Sequence, residues 1–261
     1  MKTTIATLIA LSGVSVGATL AEIDTSDTSL KAYWNFESSI TLSAGSMKDS
    51  EWKNSPTWNS DGYGEMATTA THLYTTSAGL SAATGFTISF DINAASAGTL
   101  LSIGTQNGLN QPWRACSIIL GAGAEEGTSL ISAQFLGNTA GAIKKELNVS
   151  DSDWTTLTLV TTANSSKTLT LEFYINGDFI GSSSTENASN FVNETAKIVA
   201  FGNFTNSAIK DGGAPTNIDN ILVYNRALTS DEVRALTIPE PTTATLSLLA
   251  LAGLAARRRR K

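Results

Sequence analysis

Short segments in which apolar and polar residues alternate recur along the chain, each bounded by clusters of Gly, Ser, Asn and Asp. The clearest are Lys31–Phe36, Phe86–Asn93, Thr99–Gly104, Ala115–Leu120, Ser129–Phe135, Trp154–Thr162, Thr168–Ile175, Lys197–Phe204 and Ile218–Tyr224. A period of two is what a strand with one buried face requires. Phe86-Thr87-Ile88-Ser89-Phe90-Asp91-Ile92 keeps it strictly, and Thr168–Ile175 repeats it before running into Asn176-Gly177. Asn-Gly tolerates the positive φ angles of a type I′ turn, so the chain is expected to return through Asp178-Phe179-Ile180 as a hairpin. One helix is predicted: Thr229-Ser230-Asp231-Glu232 is a capping box, and Val233, Leu236 and Leu228 supply a small apolar face. Many strands, closely spaced turns and a single helix predict an all-β fold, a two-sheet antiparallel jelly-roll β-sandwich with one short C-terminal helix.

The two ends break this pattern. Met1-Lys2 precedes an apolar run from Ile5 to Val16, with small residues at Ala18 and Ala21, the layout of a secretory signal peptide. Cleavage is expected after Ala18 or Ala21; the alternative is a first helix buried in the domain. At the other end, Pro239-Glu240-Pro241 leads into the mostly apolar Thr242–Ala256 and then Arg257-Arg258-Arg259-Arg260-Lys261. Fifteen helical residues rise about 22 Å, short of a hydrocarbon core of roughly 30 Å. Such a tail associates with a membrane transiently and is held by its basic cluster. The three parts in this order resemble the PEP-CTERM sorting signal of Gram-negative bacteria. The resemblance implies recognition by an exosortase, removal of the tail near Pro239-Glu240-Pro241, and delivery through the inner membrane to the cell surface, outer membrane or extracellular matrix. An uncleaved tail anchor is the alternative. The expected organisation is a signal peptide over 1–21, one domain over 22–238 and a sorting signal over 239–261.

Charge narrows the partners. The chain carries 17 Lys and Arg against 23 Asp and Glu, but six of the positive charges lie in the two ends. Between Glu22 and Ile238 stand 11 basic and 22 acidic residues, a net of −11. A body this acidic repels polyanions, so nucleic acid is excluded as a partner. A single cysteine, Cys116, excludes a disulfide framework and a four-cysteine zinc site, and a single histidine, His72, excludes any site needing two imidazoles.

Asp153–Val160, followed by Leu171-Glu172-Phe173-Tyr174-Ile175-Asn176-Gly177, resembles the Trp-strand and Tyr-x-Asn-Gly hairpin of the LamG-like, concanavalin A-like jelly rolls. Asn217-Ile218-Asp219-Asn220-Ile221-Leu222-Val223-Tyr224-Asn225-Arg226-Ala227-Leu228-Thr229-Ser230-Asp231-Glu232 is similar to that family's closing strand and helix, where the pattern is Ile-Asp-Asp-x-x-x-Tyr-Asn-Arg-Ala-Leu-Ser-x-x-Glu. Phe86–Asp91 and Tyr33–Glu37 resemble its Phe-Thr-Ile-Ser and opening strands, so the likeness spans Leu30 to Leu236. The family's Asp-x-Ser-Gly-Asn-Gly loop survives here only as Asp49-Ser50. The resemblance implies a structural calcium ion, with Asp219 at the closing strand and Glu37 and Asp49 near the first strand as the matching ligands.

Catalytic constellations are not visible in the sequence. Glycoside hydrolysis needs two carboxylates flanking the bond; the nearest match to a Glu-x-Asp-x-x-Glu strand is Glu22–Asp27, ahead of the first strand and ending in Asp. No Gly-x-Ser-x-Gly elbow accompanies His72, and Cys116 sits in an apolar run as a small buried hydrophobe. The chain is therefore expected not to be an enzyme. Binding chemistry is better supplied: a sugar stacks its apolar face on aromatic rings and bonds its edge to amides and carboxylates. Asp49–Glu65 carries Trp52, Trp58 and Tyr63 without strand periodicity, and Trp113-Arg114 follows Asn110-Gln111-Pro112 in a second loop. These loops are expected to form a platform for an extracellular glycan or exopolysaccharide, or else to fold over the sandwich edge as a satellite core. Trp34 and Trp154, both placed in strands, are assigned to the core. A structural exopolysaccharide-matrix protein remains a rival reading. So does a hydrolase or lyase, which a pair of close, inward-facing carboxylates in a cleft would favour.

Overall fold

The computed structural model describes residues 23–237 apart from 38–42, 46, 48–49, 54–56, 69–71, 76–78, 82–83, 94, 106–115, 136–140, 149–152, 165–167, 186–194 and 203–213. Seventeen strands are described: β1 (Leu30–Trp34), β2 (Ala44–Gly45), β3 (Ser50–Lys53), β4 (Thr57–Asn59), β5 (Tyr63–Met66), β6 (His72–Thr75), β7 (Leu80–Ser81), β8 (Phe86–Asn93) and β9 (Gly98–Thr105) come first. They are followed by β10 (Cys116–Ala122), β11 (Ser129–Phe135), β12 (Ile143–Leu147), β13 (Thr155–Ala163), β14 (Leu169–Ile175), β15 (Asp178–Thr185), β16 (Thr195–Gly202) and β17 (Thr216–Tyr224). One helix, α1 (Ser230–Ala235), closes the unit.

The first sheet runs β15-β14-β13-β8-β17-β1-β2, with β5 also paired to β17 and β4 to β5. The second runs β12-β11-β10-β9-β16-β6-β3, with β7 on β16. Neighbours are antiparallel, as the jelly roll predicted from the sequence requires. The alternating residues of the central strands meet between the sheets: Ile88, Phe90 and Ile92 of β8 and Leu157 and Leu159 of β13 face Leu101, Ile103, Cys116, Ile118 and Phe201. Phe90 and Phe201 pack edge to face across the layer, with ring centroids 5.3 Å apart. Cys116 is fully buried there, as its apolar run predicts.

The polar members of β8 are buried as well, because the first sheet is covered on its outward side. The Thr87 hydroxyl donates to the carbonyl of Arg226 and accepts from the Leu228 amide, and Ser89 bonds to Thr158. The closing segment thus ties itself back across the sheet before α1 begins. The capping box forms as predicted: Thr229 Oγ1 accepts from the Glu232 amide, and Glu232 Oε2 accepts from the Thr229 amide. Asn176 and Gly177 adopt φ of 51° and 78°, the positive values the hairpin required.

Three expectations are corrected. Asp49–Glu65, read as a loop, contains β3, β4 and β5. β2, β6, β7 and β12 were not anticipated either. These are short strands whose pairing comes from backbone groups rather than from a long apolar face, so period-two alternation is faint in them. Trp154 lies just before β13 and is half-buried on the outward side, not in the core.

Candidate functional site

The register of the first sheet assembles a polar row on its outward face. Glu65 of β5 stands opposite Asn217 of β17, and Asn217 stands opposite Asn93 of β8. Trp154 follows one residue beyond the pair Thr155–Ile92, which puts it beside Asn93. Asn217 Nδ2 donates to Asn93 Oδ1 at 3.2 Å. Tyr63 begins β5, three strand spacings from Trp154, or about 14 Å between backbones. Their rings nevertheless meet edge to face with centroids 5.6 Å apart. The two aromatic side chains therefore arch over the row from opposite sides, and beneath them Asn93 keeps only 7% of its surface exposed.

Asn59 secures the Tyr63 side of the arch, its Nδ2 donating to the Tyr63 hydroxyl oxygen at 2.8 Å and to Glu65 Oε1 at 3.0 Å. Burial, reinforced by the carboxylates of Glu65 and Asp61, pushes the Tyr63 phenol above its ordinary value, so it stays a protonated donor. Half-buried rings ringed by amides and carboxylates suit a ligand with one apolar face and a hydroxylated edge.

The next row holds a carboxylate pair that the sequence did not disclose. Asp219 of β17 faces Asp91 of β8 directly. Asn220, at the bulge that follows and with φ of 48°, sends its side-chain amide between them, 2.9 Å from Asp91 Oδ2 and 3.3 Å from Asp219 Oδ2. Thr156 donates its hydroxyl to Asp91 Oδ1 at 2.6 Å, and the Asn220 backbone amide donates to Asp219 Oδ1 at 2.7 Å. Burial pushes the Asp219 carboxyl up to about 8, against the lowering effect of its Asn220 backbone bond, with Asp91 and Glu37 raising it further. Burial also raises Asp91, and Tyr33 above the same cluster is pushed to about 12 by burial and by Asp219, Glu37 and Asp91. Asp91 and Asp219 lie 128 positions apart in the chain and only strand pairing joins them. The one sequence signal was a carboxylate at a polar step of an alternating strand.

Among the described residues, Tyr63 is the expected glycan-binding residue that stands in the arch. Trp58 is opposite Gly64, one step out of phase with Tyr63, so it points to the core-facing side of the sheet edge. There it remains 40% exposed and donates its indole N–H to the Phe36 carbonyl at 2.6 Å. Trp52 is placed within β3, on the other sheet. Trp113 and Arg114 lie outside the described residues, as do Asp49 and the sorting residues Pro239, Glu240, Pro241, Arg257, Arg258, Arg259 and Arg260. Of the expected calcium ligands, Asp219 is committed to Asn220, and Glu37 acts on it through charge. Among the described residues no three His, Cys, Asp or Glu side chains gather into a metal-holding group. Calcium takes six to eight oxygens, which carbonyls can supply beside carboxylates.

Residues 67–234 match the family described as the concanavalin A-like lectin/glucanases superfamily. The chain belongs to that superfamily. Residues 237–261 match the PEP-CTERM protein-sorting motif, which indicates export and sorting by an exosortase. No curated protein matches the chain. Among solved structures, the receptor binding domain of botulinum neurotoxin D aligns with a TM-score of 0.51 at 14% identity, over 80% of this chain and 52% of that one. A botulinum neurotoxin type C structure, whose cell entry depends on interaction with two ganglioside molecules, aligns with a TM-score of 0.52 at 13% identity, over 80% and 50%. The chain thus matches about half the length of these proteins, and at such identities the likeness establishes the shared fold.

Proposed function

We propose that this superfamily member is a non-catalytic carbohydrate-binding and adhesion module, exported and sorted by an exosortase to the surface or extracellular matrix of a Gram-negative bacterium. The observation that carries the reading is the Tyr63–Trp154 arch over the row Glu65, Asn217 and Asn93. Its rings offer stacking surface for a pyranose, and its amides and carboxylates bond the sugar's edge. The exported address fits a glycan partner, whether a polysaccharide of the matrix or one on a neighbouring cell. Incubating the purified protein on a glycan array tests it. Retention on a defined sugar class, lost in Trp154→Ala and Tyr63→Ala but kept in Trp58→Ala, is the expected result. Retention indifferent to Tyr63 and Trp154 would remove the site.

The Asp91–Asp219 pair favours a second reading, a glycoside hydrolase, since retaining enzymes set two carboxyls about 5 Å apart. Against it, Asp91 has both oxygens engaged and only 7% of its surface exposed. The expected outcome is that no reducing ends appear when bound polysaccharide is incubated with the protein. Release that vanishes in Asp219→Asn would establish the hydrolase.

A further inference from the structure

The row beneath the Tyr63–Trp154 arch holds one carboxylate, Glu65. On one side the row ends at Trp154, just before β13, and on the other it runs through Asn93, Asn217 and Glu65 to Thr57 of β4. Glu65 accepts from Asn59 Nδ2 through Oε1 at 3.0 Å, and its Oε2 has no hydrogen-bond or ion-pair partner among the described residues. The next row differs: Thr156 and Asn220 occupy the two oxygens of Asp91, and Asn220 occupies both of Asp219. Asn217 supplies a second acceptor beside Glu65. Its Nδ2 is turned to Asn93, and its Oδ1 makes no bond to the described residues. Glu65, Asn217, Tyr63 and Trp154 are all half-buried, so each keeps a part open to solvent. The charges that bear on this place are of one sign. Glu65 and Asp61 act on the Tyr63 phenol, and among the described residues no lysine or arginine does. Glu37 comes against the turn between β4 and β5, where a side chain on Gly62 would stand 3.5 Å from its Oε2.

We infer that Glu65 makes the arch selective for a cationic sugar, a pyranose that carries a free ammonium group in place of one hydroxyl. The inference rests on the reading of the arch as a glycan site and adds the charge of the sugar it takes. An ammonium has three donors and no acceptor, so it needs acceptors around it, and Glu65 Oε2 and Asn217 Oδ1 are the two left uncommitted. A cation also gains from an aromatic face within about 6 Å, most of all from Trp. The rings that stack a neutral pyranose therefore hold a charged one better. A uronic acid meets the reverse, because its carboxylate would face Glu65, Asp61 and Glu37. Acetylating the amine removes the charge and two of the donors while leaving the ring unchanged, so free and acetylated amines read the selectivity directly.

The test compares four immobilised oligosaccharides of equal length, made of glucosamine, N-acetylglucosamine, glucose and glucuronic acid. Mildly acidic buffer keeps the amine charged, and EDTA keeps any divalent cation from taking its place. The purified protein is expected to retain the glucosamine oligomer about tenfold better than the other three. Glu65→Gln preserves the shape and the bond from Asn59 and is expected to erase that preference. Glu125→Gln, at an exposed carboxylate between β10 and β11, is expected to keep it. Trp154→Ala is expected to lose retention altogether. Equal or better retention of glucose, N-acetylglucosamine or glucuronic acid would overturn the inference, and its loss in Trp154→Ala would still keep the arch. A preference that survives Glu65→Gln, or that Glu125→Gln weakens as much, would assign it to the acidity of the whole body and overturn the role of Glu65. Melting temperatures separate loss of the site from loss of the fold, and the comparison of free with acetylated amine on the parent needs no variant. Retention of none of the four would overturn the inference, while retention of another sugar through Tyr63 and Trp154 on the wider array would keep the proposed function.

Discussion

At the scale of single residues, Asp219 sets the response to pH. Its folded carboxyl titrates near 8 instead of near 3.8, chiefly because burial disfavours the charge. The folded state thus holds this proton more tightly than the unfolded chain does. The resulting stabilisation is complete below the unfolded value and is lost as pH climbs through about 8. Asp91 is shifted in the same direction. Melting temperature is therefore expected to fall from pH 5 to pH 9, and Asp219→Asn to flatten that decline; an equally steep decline in the variant would remove Asp219 as its source. Glu232 has the opposite sign, held down to about 2 by Arg226 and the Thr229 amide, so its contribution is present at neutral pH and lost only in strong acid. Cys116 is wholly buried and its thiol is pushed upward. A thiol reagent is expected to modify it only at the rate at which the protein unfolds; rapid labelling of the native state would contradict the burial.

Elements differ in how openly they announce themselves. β8, β13 and β14 bury one full face, so their alternation is strong and their boundaries fall close to those predicted. β4 shows no such contrast: Thr57 and Trp58 are exposed and Asn59 is half-buried, so its place comes from pairing with β5 and from the Trp58 indole bond to Phe36. The helix was legible because its cap is chemistry local to four residues. Arg226 binds Glu232 at 2.9 Å and Asp27 at 3.3 Å, fastening α1 to the start of the unit. Thr229→Ala removes the cap and is expected to cost about 1 kcal/mol, read from denaturant unfolding. In the core, Phe90→Ala strips the ring that meets Phe201 and is expected to cost about 3–5 kcal/mol by the same measurement. A loss below about 1 kcal/mol would show that the space collapses freely.

Over the whole molecule, the strands place two different tasks at opposite ends. Thr87 and Tyr224 lie beside the closing segment and α1, while Asn93, Asn217 and Trp154 lie at the far ends of the same strands. Six residue steps along β8, from Thr87 to Asn93, separate them, about 20 Å. The chain leaves the compact unit Asp24–Leu236 at the helix end, away from the arch. Chelation tests the remaining expectation at this scale. With Asn220 bridging Asp91 and Asp219, EDTA is expected to leave the melting temperature unchanged, and a drop of several degrees would seat an ion on Asp219. What the sequence determined by itself is what neighbouring residues can state: the strand alternation, the Asn176-Gly177 turn, the helix cap, the acidic body and the C-terminal sorting motif. Tertiary structure alone decided which distant residues meet. Tyr63 reaches Trp154, and Asp91 faces Asp219, only because β5, β17, β8 and β13 pair in one register. A shift of one residue would have turned each of these side chains to the other face, and no local pattern in the chain records that choice.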